Sequence, residues 1–290
     1  MRRTGHIAFD ACHVCVPAVL FAAILLLTMF SVQPVLVALS LTGALAFSAL
    51  ARGPRATLLG LRWQLPMLAL VCLANPFFSA SGSTLLLRLG PVCVYVESLA
   101  YGAVMGALMV SVVVWFEGAA AVLTQDRLLS LGRGGSSSVA LVVSMASQLT
   151  PQLLRRSRGV EASLSACSAA GPRPGLRERL TRESGQLMTW ALEDSLERAD
   201  AMRARGWESG ARRTSYRADI LRESDAAKTC GVVVLALLCA FLAAVACGQW
   251  SFYPVMPALV CWWGYAPYAA LMLLPAAAAV AERIRWRGLE

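Results

Sequence analysis

Few residues in this sequence could do chemistry, and they stand far apart. The densest group is Cys12-His13-Val14-Cys15 with His6 upstream, a C-x-x-C of the kind that holds a metal or exchanges disulfides. It has no second pair and no His after it, so small apolar packing at the mouth of a helix competes with metal or redox work. Two carboxylates, Glu97 and Glu117, bracket an apolar run and could line an ion path, since an acid in hydrocarbon is costly and usually functional. Both sit near the ends of that run, where water reaches them, which favours structural hydrogen bonding. Phosphate chemistry would need a Gly-rich loop ending in Lys-Ser/Thr, and the single lysine, Lys228, has no glycines before it. The chain is therefore read as non-catalytic, without a cofactor or metal of its own. What remains is an arginine, Arg205, ending the charged stretch Ser195–Trp207 as Ala204-Arg205-Gly206. Its guanidinium offers donors in a fixed fork, suited to a carboxylate on another protein.

The elements that would carry these residues are set by hydropathy. The chain has 290 residues, 58% hydrophobic and 15% charged, with a mean hydropathy of +0.61, far more apolar than a soluble domain. Residues 11–51, 63–87, 98–116 and 229–281 hold no Asp, Glu, Lys or Arg. A spanning helix needs about 20 apolar residues, so the first and last of these runs each make a hairpin of two spans. Gln33-Pro34 and Gly248-Gln249-Trp250-Ser251 mark their turns. The expected fold is an all-α polytopic membrane protein with six spans, at roughly 14–32, 35–50, 63–80, 98–122, 230–248 and 256–280. With both termini in the cytoplasm, 25 of the 26 Lys and Arg fall inside and only Arg88 outside. The net charge of +9 is then a topology signal and a surface for anionic lipid rather than for nucleic acid.

The expected division is 1–123 as spans one to four, 124–228 as a cytoplasmic block, and 229–290 as spans five and six with a basic tail. A seventh span over 134–154 would put the fifteen basic residues from Arg155 to Lys228 outside. That stretch reads instead as an amphipathic helix at the cytoplasmic interface. Two further helices are expected at 150–171 and 185–206, separated by the turn Gly171-Pro172-Arg173-Pro174-Gly175. On the second, Met188, Leu192, Leu196, Ala199 and Met202 draw one apolar stripe, and Asp194 precedes Arg198 by four residues in the favourable order. A solvated amphipathic helix explains all of this except the guanidinium at its Gly-ended tip.

The string Glu197-Arg198-Ala-Asp-Ala-Met-Arg-Ala204-Arg205-Gly206 resembles the second Ala-Arg-Gly motif of the transmembrane T component of energy-coupling factor (ECF) transporters. A second stretch, from Asn75-Pro76 through Gly82-x-Thr84 to Glu97-x-x-x-Tyr101-Gly102, is similar to another ordered motif of that family. The resemblance covers roughly residues 70–225. It implies a scaffold for vitamin or metal uptake in a bacterial plasma membrane. Two cytoplasmic ABC-type ATPases, which bind the ATP and Mg, would dock on the tips of two coupling helices, and a membrane-embedded substrate-binding S component would pack on those helices' apolar faces. It further implies that Ala204, Arg205 and Gly206 contact one ATPase, that Ala169, Ala170 and Gly171 stand at the other coupling tip, and that Met188, Leu192, Leu196, Ala199 and Met202 face the S component. Asn75, Pro76, Gly82, Thr84, Glu97, Tyr101, Gly102, Glu197 and Arg198 would be structural motif residues. The first tip has no arginine; Arg173 lies two residues beyond its Gly. The alternative from another class is a self-contained secondary transporter driven by an ion gradient, for which internal repeats and midplane charges are expected.

Overall fold

The structure is a computed structural model describing residues 9, 12–78, 84–89, 92–124, 127–128, 137–167, 175–207, 209, 222–252, 257 and 262–287. Eight helices are defined among them: α1 (Cys15–Phe30), α2 (Pro34–Ala51), α3 (Pro54–Phe78), α4 (Val96–Val122), α5 (Ser137–Cys167), α6 (Leu176–Ala204), α7 (Glu223–Gly248) and α8 (Tyr265–Arg287). Between α3 and α4 two short antiparallel strands, β1 (Leu85–Leu89) and β2 (Val92–Tyr95), pair Leu89 with Val92 and Leu87 with Val94, with an irregularity after Leu85. The chain forms two compact units, Met1–Leu128 with Asp219–Glu290, and Leu129–Ala218.

Five helices, α2, α3, α4, α7 and α8, are long and apolar enough to cross a membrane. Helix α1 is equally apolar but has 16 residues, about 24 Å of rise against a hydrocarbon core of about 30 Å. It stops short of the expected 32 because Pro34 bars its predecessor from helical geometry, and Pro34 instead opens α2 at its first position. Trp63, Leu70 and Phe241 are 83%, 68% and 67% exposed, a surface that fits lipid better than water. Helix α5 is not among the helices apolar enough to span.

Helix starts differ from the expected ones for a common reason. Helix α3 begins at Pro54, nine residues ahead of the uncharged run, because Gly53 at φ +94° ends α2 and Pro54 opens the next helix. Helix α7 begins at Glu223 with acids in its first turn, where they complement the helix dipole. Helix α8 starts later than expected, at Tyr265 after the turn Trp263-Gly264, and runs on to Arg287. A gap in charge marks where hydrocarbon begins, whereas caps decide where a helix does.

In the first unit α4 packs on α2 and α3, α2 on α8, and α1 on α7. Phe21, Phe47 and Trp115 bring three helices together at ring distances of 5.4 to 6.3 Å. Beside them is a hydroxyl trio: Ser40 bonds Thr28 and Ser111, each at 2.9 Å, and receives the Trp115 Nε1–H at 3.1 Å. All four residues are buried, so these bonds join α1, α2 and α4 where apolar contact alone is weakly specific.

Candidate functional site

The residues of the Asn-Pro stretch converge where α3 meets α4. Gly102 and Gly106, four apart, present one face of α4. A Cβ on Gly102 would stand 2.9 Å from the Cys72 carbonyl oxygen and 2.9 Å from Asn75 Cβ, and one on Gly106 would stand 3.1 Å from the Leu68 oxygen. The two backbones therefore touch, as helices in lipid do where small residues allow it. That approach lets Asn75 Nδ2 donate to the Ser98 carbonyl at 2.8 Å and Cys72 Sγ to the Leu99 carbonyl at 3.6 Å. Pro76 is buried on α3, one residue beyond the amide that makes the first of these bonds.

Glu97 is 4% exposed in the first turn of α4, where a carboxylate opposes the positive end of the helix dipole. Its Oε1 accepts both the Thr84 N–H at 3.1 Å and the Thr84 hydroxyl at 2.6 Å, tying the entry of β1 to the α4 N-terminus. Tyr101, one turn on, meets Phe252 edge to face at 5.1 Å. Asn75, Thr84, Glu97 and Gly102 thus form one junction; Gly82 lies outside the described residues. At the other end of α4, Glu117 pairs with Arg52 at a site about one third exposed.

The second candidate lies in the other unit, at the end of α6. Here Gly206 N–H donates to the Arg203 carbonyl at 2.9 Å and Trp207 N–H to the Met202 carbonyl at 3.0 Å. This is a Schellman turn, and it needs the left-handed residue that Gly206 provides at φ +80°. The turn stops the helix at once after Ala204 and leaves Arg205 as its C-cap, exposed. Arg203 approaches Asp200 at 3.6 Å, but the Arg205 guanidinium has no partner among the described residues. Ala169, Ala170, Gly171 and Arg173, like His6, lie outside those residues.

Helix α5 is continuous from 137 through Pro151 to 167, joining the stretches 134–154 and 150–171 that the sequence reads as two helices; 168–171 lie outside the described residues. Helix α6 starts at 176, not 185, because Leu, Arg and Glu in 176–183 favour helix and Glu178 pairs with Arg182 at 2.5 Å. The two meet through a face that the apolar stripe does not include. Arg156 lies 5.1 Å above the Trp190 ring, and Arg198 bonds Gln152 while holding Asp194 at 2.5 Å. Met188, Leu192 and Leu196 are consequently 66%, 57% and 68% exposed, Ala199 and Met202 are half-buried, and Glu197 is exposed.

Sequence reasoning missed the Trp190–Arg156 contact, the Ser40 hydroxyl trio and Asp225. The last, 4% exposed, accepts the His13 N–H at 3.3 Å and Lys228 Nζ at 3.1 Å. An acid in a helix's first turn ahead of a lysine at i+3 was its available signal. Among the described residues no three His, Cys, Asp or Glu are grouped to hold a metal. No family model and no curated protein matches the chain.

Proposed function

We propose that this chain is the membrane-embedded coupling subunit of an ECF-type importer in a bacterial plasma membrane, with both termini cytoplasmic. One observation carries the reading: α6 ends in a Schellman turn that holds Arg205 out to solvent with no partner in its own unit's described residues. The resemblance of Glu197–Gly206 and of Asn75–Gly102 to two ordered motifs supports it, as does the meeting of four residues of the second stretch in one junction. In this mechanism Arg205 forks an acidic groove on one of two cytoplasmic ABC-type ATPases. ATP and Mg bind in those partners. Their motion passes along α6, which is about 43 Å long. The exposed face of Met188, Leu192 and Leu196, with Ala199 and Met202 beside it, transfers that motion to a substrate-binding S component for a vitamin or metal.

Co-expression with the ATPases, followed by pull-down, tests this. Arg205→Glu should abolish co-purification and Arg173→Glu should change it little. Equal losses would remove the proposed asymmetry of the two contacts. Ion-driven uptake by the purified chain alone would replace the whole reading with that of a secondary transporter.

A further inference from the structure

A cleft of about 710 Å³ opens in the first unit among α1, α7 and α8, and its two ends differ in chemistry. At one end stand Lys228, on the second turn of α7, and Arg285, near the end of α8. The other end is lined by Val16, Leu20, Leu235 and Leu274. Charge comes first along α7 and last along α8, so both helices bring their cations to the same mouth. From Lys228 to Leu235 the rise is roughly 10 Å, and from Leu274 to Arg285 roughly 16 Å, which gives the depth of the apolar part.

The carboxylates at this mouth are already engaged by the protein. Glu282 Oε2 accepts the Phe9 N–H at 3.0 Å, and the buried Asp225 accepts from His13 and Lys228. Lys228 also reaches Cys12 Sγ at 3.6 Å, which leaves it one further donor. The Arg285 guanidinium, exposed, has no partner among the described residues.

We infer that this cleft binds an anionic glycerophospholipid, its phosphate held by Lys228 and Arg285 and one acyl chain lying along Val16, Leu20, Leu235 and Leu274. Basic pockets between spanning helices select anionic headgroups, and the arginine fork matches phosphate oxygens. A zwitterionic lipid offers the same phosphate but brings its own ammonium to a mouth that already holds Arg285, unpaired among the described residues, and Lys228, ion-paired there with Asp225 alone. Free phosphate leaves the apolar depth unfilled. The site does not depend on whether the chain couples to ATPases.

Native mass spectrometry of the full chain in a neutral detergent tests the assignment, with phosphatidylglycerol, phosphatidylcholine of the same acyl chains, and inorganic phosphate alone as probes. Phosphatidylglycerol should be retained about tenfold better than phosphatidylcholine and should slow alkylation of the free, half-buried Cys12 thiol. Inorganic phosphate should do neither. Arg285→Gln, which breaks no contact among the described residues, should lower the preference. Gly231→Leu, at a position lining the cleft where an added Cβ meets nothing within 4 Å, should lower retention of both lipids; the change also favours helix. Equal retention of the two lipids, an unchanged preference in Arg285→Gln, or displacement of lipid by inorganic phosphate would each overturn the assignment.

Discussion

Gly102→Ala isolates the contact on which the α3–α4 junction depends. The new methyl group would sit 2.9 Å from the Cys72 carbonyl oxygen, 2.9 Å from Asn75 Cβ and 3.1 Å from Cys72 Cα, whereas ordinary contact begins at 3.4 Å. Two of these three neighbours are backbone atoms, so α3 must retreat by about half an ångström. Overpacking of this kind costs about 1–3 kcal/mol, and the retreat also stretches the 2.8 Å bond from Asn75 to the Ser98 carbonyl. Alanine returns up to about 1 kcal/mol through helix propensity. The net expectation is a loss of about 1–2 kcal/mol, a five- to thirtyfold fall in the folded ratio. Gly231→Ala is the matched control: it gains the same propensity and its Cβ meets nothing within 4 Å. Unfolding by SDS in mixed micelles measures the difference. Maleimide labelling of Cys72, a half-buried free thiol on the α3 side of the contact, reports it locally and should accelerate. If Gly102→Ala matched Gly231→Ala in both stability and labelling rate, the close approach of the two backbones would be refuted.

Other substitutions probe the remaining features. Ser40→Ala removes the centre of the hydroxyl trio and leaves the buried Trp115 Nε1–H unpaired; at roughly 0.6 kcal/mol for each interhelical bond, a loss of about 2 kcal/mol in the same micelle assay is expected, and no measurable loss would deny the trio a stabilising part. Gly206→Ala forces a side chain into left-handed backbone at a cost of about 1–2 kcal/mol, so amide exchange at 206 and 207 should quicken about tenfold with little change at residue 190. Glu97→Gln keeps an acceptor for Thr84 and should leave the α3–α4 connection as protease-resistant as the parent, while Glu97→Ala should expose it; indistinguishable variants would argue against a positional role for the carboxylate.

Part of this was legible in the residues alone. Long uncharged runs announce membrane helices because hydropathy sums over many residues, and Gly102 with Gly106 announces a close helix contact because only small residues permit one. The partners of that contact, Cys72 and Leu68, lie some thirty to forty residues upstream, and spacing carries no information about them. Ala-Arg-Gly at a helix end is readable for the same local reason: a Schellman turn needs its glycine. The face by which α6 packs was not readable. Its apolar stripe stands out in the spacing, but nothing there shows that a cation over Trp190 and the Arg198 network draw the other side against α5. Ser40 was hidden among leucines and alanines, because a lone serine bonds to its own helix unless two neighbouring helices bring hydroxyls to the same depth.

Hydrocarbon makes leucine against leucine nearly indifferent to sliding, so a bundle held only by such contacts could slip by a turn at small cost. The trio at Ser40 removes that freedom, because a displacement of 5.4 Å along either neighbour would strand several hydroxyls in a dry interior together. The trio thus fixes the register of α1, α2 and α4 against one another. A change of register between these three helices would therefore have to break the trio first.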